Sequence, residues 1–128
     1  MDFQLTNEQK DIQSAAREFA EKEFPEVGPD CDVNSEFPEA VWRKAGELGF
    51  VGSTIPEEHG GPGLGFLDQA LILEQFWRVD PGVSQALINC SFGSELLWWF
   101  GTDEQKEKYL PVVAESGKKM GMATTEPE

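Results

Sequence analysis

The sequence predicts an all-α fold: a compact orthogonal bundle of five to six helices in residues 1–117, followed in residues 118–128 by the first strand of a β domain. Apolar residues recur at helical spacing in most segments, and no alternating strand pattern occurs before residue 120. Two segments open with a helix-capping pattern, and prolines and glycines fall between segments. A chain of 128 residues is the size of one domain and can bury a core of its own.

The first helix is predicted over residues 6–23. Thr6 opens it, because its hydroxyl can accept a backbone amide while the Gln9 side chain returns to the Thr6 amide. Pro25 is predicted to end it, since the residue before a proline is disfavoured in the α region. Residues 25–36 then contain two prolines and a glycine, and we expect a loop there.

A second helix is predicted between Pro38 and Gly49. Proline suits a first helical turn, where its missing amide is no loss, and glycine readily adopts the left-handed conformation that ends a helix. Residues 50–65 hold five glycines and two prolines, which indicates an irregular connection. This stretch lacks the lysine and the serine or threonine of a phosphate-binding loop, so we interpret it as structural.

Further helical segments are predicted over residues 66–79, 83–92, a piece that follows Gly93 and reaches residue 100, and 103–110. The turn residues at 80–82 separate the first two segments, and Gly93 permits a break after the second. Thr102 and Gln105 form a second capping box. Pro111 is expected to end the last helix, with a short helical turn after it.

The charge of the chain excludes several kinds of partner. The formal net charge is -14, the sequence pI is about 4.3, and lysine and arginine form no cluster, so binding to nucleic acid or to an anionic membrane is not expected. No apolar stretch approaches the ~20 residues of a membrane span. The acid-rich first 20 residues do not resemble a secretory or transit peptide, and we expect a cytoplasmic protein.

Metal and disulfide chemistry are also not expected. Cys31 and Cys90 lie in unrelated contexts, without the dense spacing of a disulfide framework. His59 is the only histidine and has no partners at metal-ligand spacing. It has no nucleophile arranged around it either, so we expect a solvated loop histidine.

The segment 83–95 is the most informative for function. One stripe, which begins at Val83 and Leu87, is typical of a core. The other stripe mixes small polar with apolar residues: Ser84, Ile88, Ser91, Phe92 and Glu95. Such a mixture suits a partly wet surface or the wall of a pocket, and spacing alone favours the surface.

Trp98 and Trp99 are neighbours on a predicted helix. Side chains of adjacent helical residues differ by about 100° in direction, so one of the two rings must point away from the inner face of the helix. We expect that ring to pack against another domain or subunit.

Several motifs along the whole chain together resemble the acyl-CoA dehydrogenase family. They are the Phe3-x-Leu-Thr-x-Glu-Gln start, the Leu48-Gly49 turn, the Pro56-Glu57-Glu58-His59-Gly60-Gly61 loop, the Gly101–Pro111 helix and the terminal Met122-Ala-Thr-Thr-Glu-Pro segment. The family consists of flavoenzymes of fatty acid metabolism that desaturate acyl-CoA thioesters between Cα and Cβ. The resemblance implies that residues 1–117 are the N-terminal helical domain and that residues 118–128 begin the middle β-barrel domain, cut short.

The resemblance also implies the cofactor and the partners. Members bind FAD and acyl-CoA, pass electrons to an electron-transferring flavoprotein and are usually homotetramers. Their glutamate base lies in the C-terminal domain, so this chain is expected to contain no catalytic residue and to be inactive alone. The implied flavin-side residues are Met122, Thr124 and Thr125. The implied acyl-cavity residues are Ile88, Ser91 and Phe92, with Ser84 and Gln85 near the far end of the cavity.

Members that act on glutaryl-CoA carry an arginine near the start of the cavity-lining helix, where this chain has Val83. No lysine or arginine occurs between Val79 and Gln105. Because a buried, unpaired carboxylate is costly, we expect an uncharged acyl group. It should be short, branched or cyclic rather than long, because Ile88 and Phe92 are bulky.

Two alternatives to a dehydrogenase stay open: a flavin monooxygenase or oxidase with the same fold, and a free-standing helical interaction module.

Overall fold

The computed structural model describes residues 4–121, and helices account for nearly all of the regular structure in that range. The elements are α1 (Asn7–Asn34), α2 (Glu39–Glu47), a short 3-10 helix (Glu57–His59), α3 (Phe66–Val79), α4 (Pro81–Asn89), α5 (Ser94–Phe100) and α6 (Asp103–Ala114). The predicted all-α fold is therefore confirmed. No strand is assigned within residues 4–121, and residues 122–128 of the predicted strand lie outside the described part.

Helix α1 is longer than predicted, and the loop expected at residues 25–36 is wrong. The helix passes through Pro25 and Pro29 and ends at Asn34, and Ser35 caps it with a left-handed φ of 55°. Its buried stripe continues past the first proline, since Phe24 and Gly28 are both buried. Both prolines lie on the exposed side, where water can satisfy the carbonyl oxygens that they leave unpaired. Packing of the buried stripe therefore outweighs the local preference of proline.

Helix α6 also passes through its proline. The predicted stop at Pro111 is wrong, because the helix continues to Ala114. Leu110, Val113 and Ala114 are buried on one side of it, so the last turn is again held by packing. The predicted capping boxes at Thr6 and Thr102 are confirmed.

The remaining helix ends follow local chemistry. Gly49 adopts a φ of 75° after α2, as its predicted role as a helix stop requires. Helix α4 begins at Pro81, two residues earlier than predicted, because the Asp80 carboxylate accepts a hydrogen bond of 2.9 Å from the Val83 amide. Gly93, with a φ of 96°, separates α4 from α5.

The main core is built around Phe76 of α3. Its ring lies 5.7 Å from that of Phe19, 5.1 Å from Phe24 and 5.4 Å from Phe50. These rings come from α1, α3 and the segment after α2, so one aromatic cluster ties the first half of the chain together.

A second, smaller cluster joins the glycine-rich segment to α6. Ile55, Leu110, Val113 and Ala114 are buried in it, and Trp98 of α5 packs against it. The glycine-rich segment is irregular, as predicted, and it closes on itself: the Gly63 amide donates to the Ile55 carbonyl at 2.9 Å. These two clusters fix α3, α4 and α5, which carry the candidate site.

Candidate functional site

A groove of about 370 Å³ lies along α3, α4 and α5. Its lining residues are Phe66, Gln69, Leu73, Ile88, Ser91, Phe92, Gly93, Glu95, Leu96 and Trp99. Three of the five residues predicted for the acyl cavity, Ile88, Ser91 and Phe92, therefore line one cavity. An apolar cavity with a few polar groups is the usual form of a small-molecule site.

The two other predicted cavity residues lie outside the lining of this groove. Ser84 is fully buried, since α1 and α3 both pack against the helix that carries it. The Gln85 side chain is exposed and donates a hydrogen bond of 2.6 Å to the side-chain oxygen of Asn89. Neither residue meets the groove in the described part of the chain.

The groove is lined on its other side by residues that were not singled out from the sequence. Phe66, Gln69 and Leu73 recur on α3 at the i, i+3, i+7 spacing of one helix face. That spacing was visible in the sequence. The sequence did not show that this face packs beside the end of α4, because that pairing depends on the turn at residues 80–82.

The end of α4 gives the groove its shape. Ser91 follows the helix and donates a hydrogen bond of 3.2 Å from its hydroxyl to the Ile88 carbonyl. Gly93 then reverses the chain with a positive φ, a conformation that side chains disfavour. Glu95, in the first turn of α5, accepts a hydrogen bond of 3.2 Å from the Thr54 hydroxyl, which ties this side of the groove to the glycine-rich segment.

Large apolar side chains of the groove remain partly exposed. Phe92 is 46% exposed, and Phe66, Leu96 and Trp99 are about half exposed. The Trp99 ring lies 5.7 Å from that of Phe66. An apolar patch of this kind marks a binding site or an interface.

The tryptophan pair divides as predicted. Trp98 packs against the second core cluster, whereas Trp99 is 52% exposed and lines the groove. The prediction that one ring points outward is confirmed. That this ring packs against another domain or subunit stays a prediction.

No lysine or arginine is among the residues that line the groove. Arg78, at the end of α3, is the basic residue that precedes α4 most closely in sequence. It is exposed and does not line the groove. Val83, where the resemblance implies an arginine in glutaryl-CoA-specific members, is buried in the main core. The one charged group in the lining is the Glu95 carboxyl, which would repel a second carboxylate.

The described residues include no cluster that could hold a metal ion, and His59 is less exposed than expected. No group of three or more histidine, cysteine, aspartate or glutamate side chains in residues 4–121 is placed to hold a metal ion. The expectation of a solvated His59 is wrong: its side chain is only 13% exposed, and its Nε2 lies 3.6 Å from a Glu58 carboxylate oxygen. The loop curls back so that this ring packs inward.

Both cysteines are free. Cys90 is buried, and its burial raises the pKa of the thiol to about 11. The neutral thiol donates to the Ala86 carbonyl at 3.2 Å. Cys90 therefore acts as a small core residue rather than as a reactive thiolate.

A larger cavity of about 790 Å³ lies between α1, the end of α2 and the glycine-rich segment. It has an apolar floor that includes Phe19 and Phe50, and charged residues of both signs stand around it. Two of these, Lys44 and Glu23, pair at 2.6 Å. We favour the smaller groove as the site because its lining is mostly apolar and includes three of the residues predicted for substrate.

The residues predicted to face a flavin, Met122, Thr124 and Thr125, lie outside the described residues. Within residues 4–121, no helix combines the length and apolar character needed to cross a membrane.

Comparison with known proteins identifies the fold and the lineage. The family model described as "Acyl-CoA dehydrogenase, N-terminal domain" matches residues 6–117. The chain is 38% identical over 130 residues to the probable acyl-CoA dehydrogenase YngJ of Bacillus subtilis, and this match covers 99% of the chain and 34% of the relative. It is 35% identical over 127 residues to acryloyl-CoA reductase (NADH) of Anaerotignum propionicum, covering 99% of the chain and 32% of the relative.

A solved structure shows the same fold. Butyryl-CoA dehydrogenase from Megasphaera elsdenii superimposes with a TM-score of 0.82 at 31% identity, over 93% of this chain and 32% of that one. The chain thus spans about a third of the length of the curated relatives that it matches.

Proposed function

This chain is an N-terminal domain of the acyl-CoA dehydrogenase family, and we propose that it supplies one wall of the acyl cavity of a full-length FAD-dependent enzyme. That enzyme would catalyse α,β-desaturation of an acyl-CoA thioester. The observation that carries the proposal is the groove itself, because it unites Ile88, Ser91 and Phe92 with further apolar side chains of α3 and α5.

The contribution of the groove is positioning. Apolar walls formed by Leu73, Ile88 and Phe92 would bury the acyl chain, and burial contributes about 0.8 kcal/mol for each CH2 group. A buried acyl chain holds the reacting carbons at a fixed place and excludes water from them. FAD, when bound, would accept the hydride from Cβ. The residues proposed to face it, Met122, Thr124 and Thr125, are outside the described range, so the described residues contribute acyl binding only.

The catalytic base is proposed to lie outside this chain, in a C-terminal domain. The half-exposed rings of Phe66 and Trp99 support this arrangement, because a monomeric domain rarely leaves such a patch uncovered. We extend the proposal to an electron-transferring flavoprotein as the electron acceptor and to a homotetramer as the full-length assembly.

An uncharged acyl group is the proposed substrate class. The lining carries no cation that could pair with a distal carboxylate, and Glu95 adds a negative group to it. The bulk of Ile88 and Phe92 favours a short, branched or cyclic chain. In the full-length protein, kcat/KM for butyryl-CoA is expected to exceed that for glutaryl-CoA. A preference for glutaryl-CoA would contradict this assignment, and loss of that preference in Arg78→Ala would identify Arg78 as the missing cation.

Truncation of Phe92 tests the wall directly. Phe92→Ala in the full-length protein should shift kcat/KM toward longer acyl-CoAs by about tenfold, because a methylene admitted to an apolar pocket is worth on the order of 1–3 kcal/mol. Tyr109→Ala on α6 is the matched control, since Tyr109 is also 46% exposed but does not line the groove. An unchanged chain-length profile in Phe92→Ala, or an equal shift in Tyr109→Ala, would refute the wall.

The two alternatives to a dehydrogenase predict different results in assays of the same full-length protein. A same-fold oxidase or monooxygenase would consume oxygen in place of a flavoprotein acceptor. The acryloyl-CoA reductase similarity favours testing the reductive direction with an enoyl-CoA as well. A free-standing helical interaction module would show neither activity in its full-length form.

A further inference from the structure

Residues 115–120, here called the strap, leave α6 and run back along α2. Ser116 lies directly against Gly46, near the C-terminal end of α2: its hydroxyl would clash with any side chain at that position. Ser116 is buried and adopts a left-handed φ of 51°. Lys119 then contacts Glu39 in the first turn of α2.

The strap begins with a turn that is still bonded to α6. The amides of Gly117 and Lys118 donate to the Val112 carbonyl at 2.9 and 3.0 Å, and the long Lys119 side chain then reaches Glu39. The strap therefore contacts α2 near its C-terminal end through Ser116 and in its first turn through Lys119.

Lys119 makes the contacts that hold the far end of the strap. Its ammonium lies 2.5 Å from a carboxylate oxygen of Glu39. The same group lies 3.8 Å from the centre of the Phe37 ring and 4.5 Å from that of Trp42. A cation held between two rings and a carboxylate is restricted in direction much more than a surface lysine with a single partner.

The strap ends on α4. The Met120 amide donates a hydrogen bond of 2.7 Å to the Cys90 carbonyl, and the Met120 side chain packs against the second core cluster. Cys90 directly precedes Ser91, which lines the groove. Met120 thus lies at the C-terminal end of α4, next to the groove.

We propose that Lys119 is a positioning residue that locks the strap onto α2, so that Met120 is held on the Cys90 carbonyl beside the groove. The role toward the groove rests on the proposed function. The lock itself does not, because it is a property of contacts within the described residues.

Hydrogen exchange at the Met120 amide tests the lock in the 128-residue chain. Lys119→Met keeps the length of the side chain and removes its charge, and it should speed exchange at Met120 about tenfold through local opening. Lys119→Arg keeps the charge and can stack on both rings, so it should restore protection. Lys118→Met is the matched control: Lys118 is exposed and adjacent, and its loss should leave exchange at Met120 unchanged.

Amides in the core of α3, such as that of Phe76, report global unfolding. They should exchange equally in wild type and Lys119→Met, which separates local release of the strap from general loss of stability. Glu39→Gln gives a second test, since it removes the carboxylate and leaves both rings, and it should give an intermediate rate at Met120. Equal exchange at Met120 in wild type, Lys119→Met and Glu39→Gln would overturn the proposal, as would an equal effect of Lys118→Met.

Turnover of acyl-CoA by the full-length protein separates the two proposals. Faster exchange at Met120 in Lys119→Met together with no turnover by the wild type would support the lock and refute the proposed function. Wild-type turnover together with unchanged exchange in Lys119→Met would support the proposed function and refute the lock.

Discussion

The two glycines that end the 3-10 turn should tolerate substitution differently, although they are neighbours. Gly60 has a φ of 82°, and a Cβ built on it would meet only the Ala114 Cβ, at 4.0 Å. A Cβ on Gly61 would lie 2.1 Å from the Ile55 carbonyl oxygen and 2.7 Å from the carbonyl carbon. Gly60 is therefore required for its backbone conformation and Gly61 for its lack of a side chain.

The expected costs follow from these geometries. Alanine in the left-handed region is disfavoured by about 1–2 kcal/mol, which is the whole expected loss for Gly60→Ala. Gly61→Ala must displace the Ile55 backbone, and overpacking of this kind costs about 1–3 kcal/mol or more. Displacement also disturbs the 2.9 Å hydrogen bond from the Gly63 amide to Ile55, worth about 1 kcal/mol. We expect about 3 kcal/mol in total for Gly61→Ala.

Urea unfolding of the 128-residue chain, followed by tryptophan fluorescence and circular dichroism, measures both costs. Asparagine variants separate the mechanisms, because asparagine tolerates the left-handed conformation better than alanine does. Gly60→Asn should be more stable than Gly60→Ala, whereas Gly61→Asn should be no better than Gly61→Ala. Equal losses for Gly60→Ala and Gly61→Ala, or a gain from asparagine at position 61, would refute the reasoning.

Three further predictions concern the core, the acid limit of stability and activity. Phe76→Ala empties a fully buried site among three rings and should lower the free energy of unfolding in urea by about 3–5 kcal/mol. Phe92→Ala should lower it by under about 1 kcal/mol, and similar losses for the two variants would contradict the division between core and groove. The hydrogen bond from Lys119 holds the pKa of the Glu39 carboxyl below its ordinary value of 4.5. The stabilisation from this pair is therefore present above pH 4.5 and is lost as the pH falls through the lower pKa of the folded state. Glu39→Gln should flatten the acid side of the stability profile, and an unchanged profile would argue against the pair. The 128-residue chain with added FAD, acyl-CoAs and an artificial acceptor should show no turnover above a flavin-only blank, and turnover would contradict a base outside the chain.

Local chemistry predicted the helix starts well and two of the helix ends poorly. Thr6 and Thr102 cap their helices as expected, because a capping box depends only on residues three positions apart. Pro25 and Pro111 were expected to stop helices that continue past them. The cost of a proline in a helix is local, but whether the helix persists depends on what its next turn buries. Gly28 after Pro25, and Val113 and Ala114 after Pro111, are buried against partners distant in sequence.

The candidate site was predictable on one side only. Ile88 lies in the last turn of α4 and Ser91 and Phe92 follow that helix, and the family resemblance pointed to these three residues. The facing side chains of α3 and α5 come together through the turns at residues 80–82 and at Gly93. Periodicity assigns residues to faces but does not pair faces, so the groove required the three-dimensional structure.

The fate of the exposed aromatic residues follows from the same reasoning. Trp98 and Trp99 occupy adjacent positions, and their sequence context alone does not distinguish them. The second core cluster takes Trp98 because Ile55 and Leu110 stand on its side of α5, which leaves Trp99 to stack on Phe66 at the mouth of the groove. The cluster that anchors Trp98 also receives Met120 at the end of the strap. One small core thus contacts both Trp98, whose burial leaves Trp99 facing outward, and Met120, so the groove and the end of the strap depend on shared contacts rather than independent ones.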